Sequence, residues 1–171
     1  AAKILQHFQN HAKAEVVMIG SNRQEAGVQE HAHLHQVPMF FFNRAELNEG
    51  KVLSVLQKTE ADLIVLAGFL LKIPEELVAA FPNAILNIHP ALLPKYGGKG
   101  MYGMNVHKAV KEAGEMESGI TIHYVNQHYD EGQVLFQAKT NLEETDTPEI
   151  IAKKVLALEH LHFAPLIESI L

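Results

Sequence analysis

Cysteine is absent from the 171 residues. That single absence excludes disulfide scaffolds, thiolate zinc sites and cysteine nucleophiles together. Positive charge is also scarce: fourteen Lys and Arg stand against twenty Asp and Glu, for a net charge of -6. Nucleic-acid binding rests on clustered cations, so no nucleic acid is expected as a partner. The longest apolar stretches, residues 63–71 and 85–93, are interrupted and too short to cross a bilayer, so no membrane is expected either. No basic-then-apolar signal segment, internal repeat, linker or low-complexity tract occurs. Gly20-Ser21-Asn22 lacks the spaced glycines of a dinucleotide fingerprint. A cytoplasmic protein fits this profile. What is present is apolar: 47% hydrophobic against 20% charged residues, enough for the core of one ordinary domain.

The pattern along the chain alternates between two periods. Lys3 to Ala12 carries apolar side chains at helical spacing from the first residues, and Ala14 to Gly20 reads as a buried strand. A helix is expected over Gln24 to His35 and a second strand over Val37 to Phe42. Asn43 with Glu46 three positions later predicts a capping box, opening a helix that runs to about Glu60. Asp62 to Ala67 is a third strand, Pro74 to Phe81 a short helix, and Ala84 to Ile88 a fourth strand. After a loop rich in Pro and Gly, from His89 to Gly103, comes a helix over Asn105 to Ala113. Gly119 to Val125 alternates like an antiparallel strand, with Gln133 to Thr140 its partner. Thr147-Pro148-Glu149 starts a last helix, with Pro at the first helical position. Strands alternating with helices imply a single α/β domain: a mostly parallel sheet, helices on both faces, and an antiparallel C-terminal edge.

In open α/β sheets, ligands bind beyond the carboxyl ends of the strands. Asn87 and His89 leave the fourth strand two residues apart, so both project to one side while Leu86 and Ile88 face the other. Asn can donate to a developing oxyanion, and His can exchange a proton near neutral pH. The plain alternative is a polar pair that caps the strand and satisfies loop backbone. Asp130-Glu131-Gly132 reads first as a turn between two strands, a role compatible with chemistry. Thr121 and His123 share one face of their strand, either a half-buried surface or a lining.

Three blocks of the chain resemble the glycinamide ribonucleotide formyltransferase family. They are Leu66-Ala67-Gly68-Phe69, the segment Asn87-Ile88-His89-Pro90-Ala91-Leu92-Leu93-Pro94-Lys95-Tyr96, and Gly119 to Val125 followed by Asp130-Glu131-Gly132. The middle block is the most specific, and the similarity covers essentially the whole chain. The resemblance implies a Rossmann-like formyltransferase fold and a transferase of purine biosynthesis and one-carbon metabolism. The formyl group would pass from 10-formyltetrahydrofolate to the amine of glycinamide ribonucleotide, through a tetrahedral intermediate and without a metal. By similarity, Asn87, His89 and Asp130 are the catalytic set. Asn87 donates to the oxyanion, His89 stabilises it or moves its proton, and Asp130 pairs with the His. Thr121 and His123 support them, and Glu159 in the last helix, with Asn87, holds the ribonucleotide. The folate slot is implied for Leu66, Gly68, Phe69, Leu70, Leu71 and Ile73, with Arg44 reaching the glutamate tail. Leu71 departs from the family pattern, standing where a basic residue is common, with Lys72 beside it.

Gly97-Gly98-Lys99-Gly100-Met101-Tyr102-Gly103 is longer and richer in Gly than the family equivalent, and reads better as a mobile loop near substrate than as a phosphate cradle. His31, His33 and His35 invite a metal reading, but on a helix His33 leaves the face shared by the other two, so a solvated helix end fits better. The family's first strand and phosphate-binding turn have no match ahead of Ala1, where the chain opens in what resembles the following helix. The expectation is one domain over residues 1–171 lacking that strand and turn, with a start that is incomplete. Alternatives are another folate-dependent formyltransferase, a formyltetrahydrofolate hydrolase, or a non-catalytic folate- or nucleotide-binding module. A small-molecule partner and a monomer or homodimer complete the expectation.

Overall fold

In a computed structural model describing residues 1–24 and 27–171, the chain forms thirteen elements among the described residues. The helices are α1 (Ala2–Phe8), α2 (Val28–Leu34), α3 (Arg44–Asn48), α4 (Lys51–Lys58), α5 (Glu75–Ala80), α6 (Met104–Glu112) and α7 (Pro148–Ile170). The strands are β1 (Ile19–Ser21), β2 (Met39–Phe41), β3 (Ile64–Leu66), β4 (Ile85–His89), β5 (Glu117–Tyr124) and β6 (Val134–Asn141). This is the mixed α/β architecture read from the alternating periods. Part of the helix expected over Gln24 to His35 falls on residues 25 and 26, outside the described residues.

Local chemistry explains most boundaries. The Asn43 side chain accepts from the Glu46 N–H while the Glu46 carboxylate accepts from the Asn43 N–H, both at 2.9 Å, closing the capping box. The helix expected to continue to Glu60 is instead two helices. Gly50 at φ 81 separates them, a left-handed conformation that interrupts the hydrogen-bond ladder. Thr147 caps α7 with Pro148 at its first turn, and the helix continues through Pro165. The first strand begins later than its apolar run, at Ile19, because its partner β2 offers only three residues to pair with.

β1 and β2 form a parallel ladder of their own. The larger sheet has the order β3-β4-β5-β6, parallel between β3 and β4 and antiparallel at the other two ladders. β5 is buried along nearly its whole length, with Ile120 and Ile122 inaccessible. It packs under α7 through a core that includes Leu86, Val106, Val110, Ile151, Val155 and Phe163. Each fully buried Leu or Ile contributes roughly 1.5–3 kcal/mol relative to exposure. A second cluster, with Phe42, Leu47, Leu77 and Ile85 at its centre, joins β2 and β4 to the helices between them. Two glycines are fixed by close approach. A Cβ at Gly119 would lie 2.0 Å from the Ala138 carbonyl oxygen, and one at Gly132 would lie 1.6 Å from that of Tyr124.

Candidate active site at the carboxyl end of β4

β4 is the strand where pairing changes sense: parallel to β3 on one side, antiparallel to β5 on the other. Asn87 is therefore registered between Leu66 and His123, and His89 opposite Thr121. Alternation along β4 buries Leu86 and Ile88 in the core and sends Asn87 and His89 to the opposite face. Residues 36 positions apart in sequence thereby meet across one ladder.

The Asn87 Nδ2 lies 3.2 Å from His123 Nε2, and His123 Nδ1 is 2.8 Å from its neighbour's carbonyl, that of Tyr124. The carbonyl requires the hydrogen on Nδ1, so Nε2 of the neutral ring accepts from the Asn87 amide. One amide hydrogen is thus spent on His123 and the second remains available. His89 is 4% exposed. Its Nε2–H donates to the Tyr96 carbonyl at 2.7 Å, and its Nδ1 faces Asp130 Oδ2 at 3.5 Å. Asp130 Oδ1 lies 3.7 Å from His123 Nε2, and Oδ2 accepts from the Gly98 N–H at 2.9 Å. Asn87, His89, His123 and Asp130 therefore form one continuous polar cluster.

The electrostatics of the cluster are opposed and balanced. Burial pushes the His89 imidazole below its ordinary pKa, outweighing the pull of Asp130 and the Tyr96 carbonyl in the other direction. For Asp130, burial alone would raise the carboxyl. The neighbouring His123 and His89 rings and the Gly98 N–H that donates to it together bring it below its ordinary value. The resting pair near neutral pH is a neutral imidazole beside a carboxylate. Asp130 sits at φ 57, a left-handed conformation, so the turn reading of this segment and its presence in the cluster hold together.

Thr121 is wholly buried and fully hydrogen-bonded. Its hydroxyl donates to the Ala91 carbonyl at 2.7 Å and accepts from the Leu93 N–H and from Gln137 Nε2, both at 2.9 Å. Gln137 Nε2 also donates to the Leu93 carbonyl at 3.0 Å. Thr121 thus ties down the loop after β4. His123 faces both Asn87, at 3.2 Å, and Asp130, at 3.7 Å. Sequence reasoning gave Gln137 no role and Tyr96 none beyond its place at the end of the Asn87–Tyr96 segment. Gln137 stands at an exposed position of β6, so the strand's period carries no signal of it.

The residues expected to wall a flat ring lie next to this cluster on β3 and the loop after it. Leu66 pairs with Asn87; Phe69 and Leu71 lean on the second core cluster, and the Phe69 ring is 6.0 Å from that of Phe42. Ile73 is buried in that core, while Gly68, at φ 71, and Leu70 are exposed. Arg44 is exposed at the first turn of α3. Glu159, half-buried on α7, has its carboxyl pushed up by burial. Gly97 to Gly103 forms consecutive turns, bonded from Met101 N–H to Gly98 and from Tyr102 N–H to Gly100. His31 and His33 lie in α2 and His35 caps it; among the described residues no group of three side chains is arranged to hold a metal. No helix among them is long and apolar enough to cross a membrane.

Comparison with known proteins gives concordant results. Residues 1–167 match the family model described as formyl transferase. The chain is 44% identical over 162 residues to the chloroplastic phosphoribosylglycinamide formyltransferase of Arabidopsis thaliana, covering 91% of this chain and 56% of that protein. It is 32% identical over 164 residues to the phosphoribosylglycinamide formyltransferase of Bacillus subtilis, covering 92% and 81% respectively. Its structure is similar to that of the Anaplasma phagocytophilum phosphoribosylglycinamide formyltransferase, with a TM-score of 0.87, 31% identity, and coverage of 96% of this chain and 77% of the other. The chain spans about half the length of the plant relatives it matches, 56% for Arabidopsis and 52% for Vigna unguiculata.

Proposed function

The chain belongs to the formyl transferase family, and from that premise we propose that it transfers a formyl group from 10-formyltetrahydrofolate to the amine of glycinamide ribonucleotide. The observation that carries this reading is the joining of Asn87, His89, His123 and Asp130 into one cluster, with every link between 3.2 and 3.7 Å. A catalytically silent binding module has no need of such a cluster. The relatives named above favour this transferase over other folate-dependent formyltransferases and over a hydrolase.

Each residue then has a task. The amine nitrogen bonds to the formyl carbon, the carbonyl oxygen gains negative charge, and the bond from that carbon to the folate nitrogen breaks. The free Asn87 amide hydrogen, held in orientation by His123, is the donor aimed at that oxygen. The proton lost by the amine must end on the departing nitrogen. His89 Nδ1, unprotonated at rest, and the Asp130 carboxylate beside it are the bases that carry it. An imidazolium at His89 is stabilised by the facing carboxylate at the moment charge develops. Thr121 holds the loop that presents Tyr96 to His89.

The folate ring suits the adjoining surface on chemical grounds. Exposed Leu70 and half-buried Leu66, Phe69 and Leu71 provide an apolar wall, and the main chain around Gly68 provides donors and acceptors for the ring edge. Ile73 shapes that wall from beneath, and Arg44, free in solvent, is the cation for the glutamate tail. Glu159, with Asn87, holds the ribonucleotide. The reaction so described uses small molecules only, in a cytoplasmic enzyme and with no metal.

A transfer assay tests this. The full-length protein, mixed with both substrates, should release the deformylated folate, and His89→Ala and Asp130→Ala should each lower kcat by about 10²- to 10⁴-fold. Absence of transfer by the wild-type protein would overturn the assignment, and full activity in either variant would overturn the roles.

A further inference from the structure

His89 can carry its single hydrogen on either ring nitrogen, and its two neighbours disagree. Asp130 Oδ2, 3.5 Å from Nδ1, favours a hydrogen there. The Tyr96 carbonyl, 2.7 Å from Nε2, requires it on the other side. His123 on β5 and His107 on α6 are the remaining titratable groups that act on the ring. His123 presents its unprotonated Nε2 to Asn87, and no hydrogen bond joins either ring to His89. The tautomer is therefore decided by whether the Tyr96 carbonyl stays in place.

That carbonyl belongs to a strained residue. Tyr96 has φ 58, the left-handed region that side chains other than those of Gly, Asn and Asp rarely adopt, at a cost of order 1–3 kcal/mol. Something must hold it. The Tyr96 hydroxyl donates to Glu115 Oε1 at 2.9 Å, and the Lys95 ammonium donates to the same oxygen at 2.8 Å. Glu115 lies beyond the end of α6, away from the catalytic cluster. The Tyr96 side chain is partly buried against the main core and borders a pocket of about 140 Å³, lined also by Leu92, Val110 and Gln137. The Lys95 ammonium and the phenol together bring the Glu115 carboxyl below its ordinary value.

We infer that Glu115 is a positioning residue: by binding the Tyr96 hydroxyl it keeps the Tyr96 carbonyl on Nε2 of His89 and so leaves Nδ1 free as a base. Releasing the phenol lets the peptide at residue 96 relax, and the hydrogen moves to Nδ1, paired with Asp130. The kinetic consequence rests on the transferase reading above; the consequence for the tautomer does not.

The test uses the full-length protein with Glu115→Ala, Tyr96→Phe, their combination, and Glu115→Gln, whose amide oxygen still accepts the phenol. Nitrogen-15 NMR of labelled histidine should show His89 protonated at Nε2 in the wild type and in Glu115→Gln, and shifted towards Nδ1 in the other three. In the transfer assay, kcat should fall roughly tenfold in Tyr96→Phe and Glu115→Ala, with KM changed less than twofold. The double variant should be no worse than either single, since both break one bond. An unchanged tautomer in Tyr96→Phe, or additive losses in the double variant, would overturn the inference. Glu115→Gln as impaired as Glu115→Ala would overturn it too, by pointing to charge rather than to the hydrogen bond. Should Glu115→Ala fail to fold, Tyr96→Phe decides alone. Should the wild type show no transfer, the transferase reading falls and the NMR result still decides this one.

Discussion

Replacing Thr121 by Val removes one oxygen from the centre of the site while keeping the shape of the side chain. The hydroxyl serves three partners: it donates to Ala91 at 2.7 Å and accepts from Leu93 and Gln137 at 2.9 Å. Thr121 and Ala91 are both fully buried and Leu93 is 9% exposed, so water cannot take the place of the oxygen. The Ala91 carbonyl and the Leu93 N–H would be left unpaired, at about 1–3 kcal/mol each. The Gln137 side chain, on the exposed edge strand, keeps its 3.0 Å bond to the Leu93 carbonyl and can turn to solvent. The expected loss is about 2–6 kcal/mol, against a total stability of about 5–15 kcal/mol for such a domain. At about 2–4 °C per kcal/mol, Tm should fall by roughly 4–24 °C. Thermal and urea unfolding followed by circular dichroism measure it, with Thr121→Ser, which keeps the hydroxyl, expected within about 1 kcal/mol of wild type. A valine variant within about 0.5 kcal/mol of wild type would show that the loop is held by something other than this oxygen.

Acid should weaken the fold in two stages. Burial depresses the imidazole pKa of both His89 and His107. Their contribution is therefore complete above about pH 6.5, the unfolded value, and is lost as pH falls through the folded values. The depressed carboxyl of Asp130 contributes above about pH 3.9 and is lost below it. Urea midpoints measured from pH 8 to 3 should show both stages, and removing both imidazoles (His89→Gln with His107→Gln) should flatten the first; an unchanged slope between pH 7 and 5 would refute the assignment. Gly132→Ala would place a Cβ 1.6 Å from the Tyr124 carbonyl oxygen, a main-chain atom that cannot swing aside as a side chain would. It should cost at least about 3 kcal/mol or abolish folding in a urea or thermal melt. Asn87→Ala should lower kcat about 10²- to 10³-fold in the transfer assay with the fold intact, the loss expected for one oxyanion donor.

What could be read in the chain and what could not divide along a physical line. Side-chain period and capping chemistry are local, so Asn87 and His89 could be placed on one face of a strand end, and the Asn43–Glu46 box and the Thr147–Pro148 start could be stated residue by residue. Gly50 was equally local but lies inside a continuous apolar helical pattern, and only its left-handed φ shows why two helices replace one. The start of β1 depended on how few residues β2 offers, a fact about a partner rather than about Ala14 to Gly20. The site shows the same division at higher stakes. Composition and period could say that Thr121 and His123 share a face; they could not say which residue of β4 each would meet, because a shift of one residue in the β4–β5 register would send both to the other side. That register, 36 residues apart in sequence, makes His123 the partner of Asn87 and Thr121 the anchor of the loop. The Tyr96 carbonyl lay further still from any pattern, since a backbone oxygen carries no signature of its residue type. The side chains proposed as catalytic are thus legible as residue types at a spacing. The groups that set their protonation and orientation (a carbonyl, a hydroxyl, an amide on a neighbouring strand) exist only once the sheet has formed. Variants at Thr121, Gln137, Tyr96 and Glu115 therefore probe the folded site itself, whereas those at Asn87, His89 and Asp130 probe the chemistry that the chain already announces.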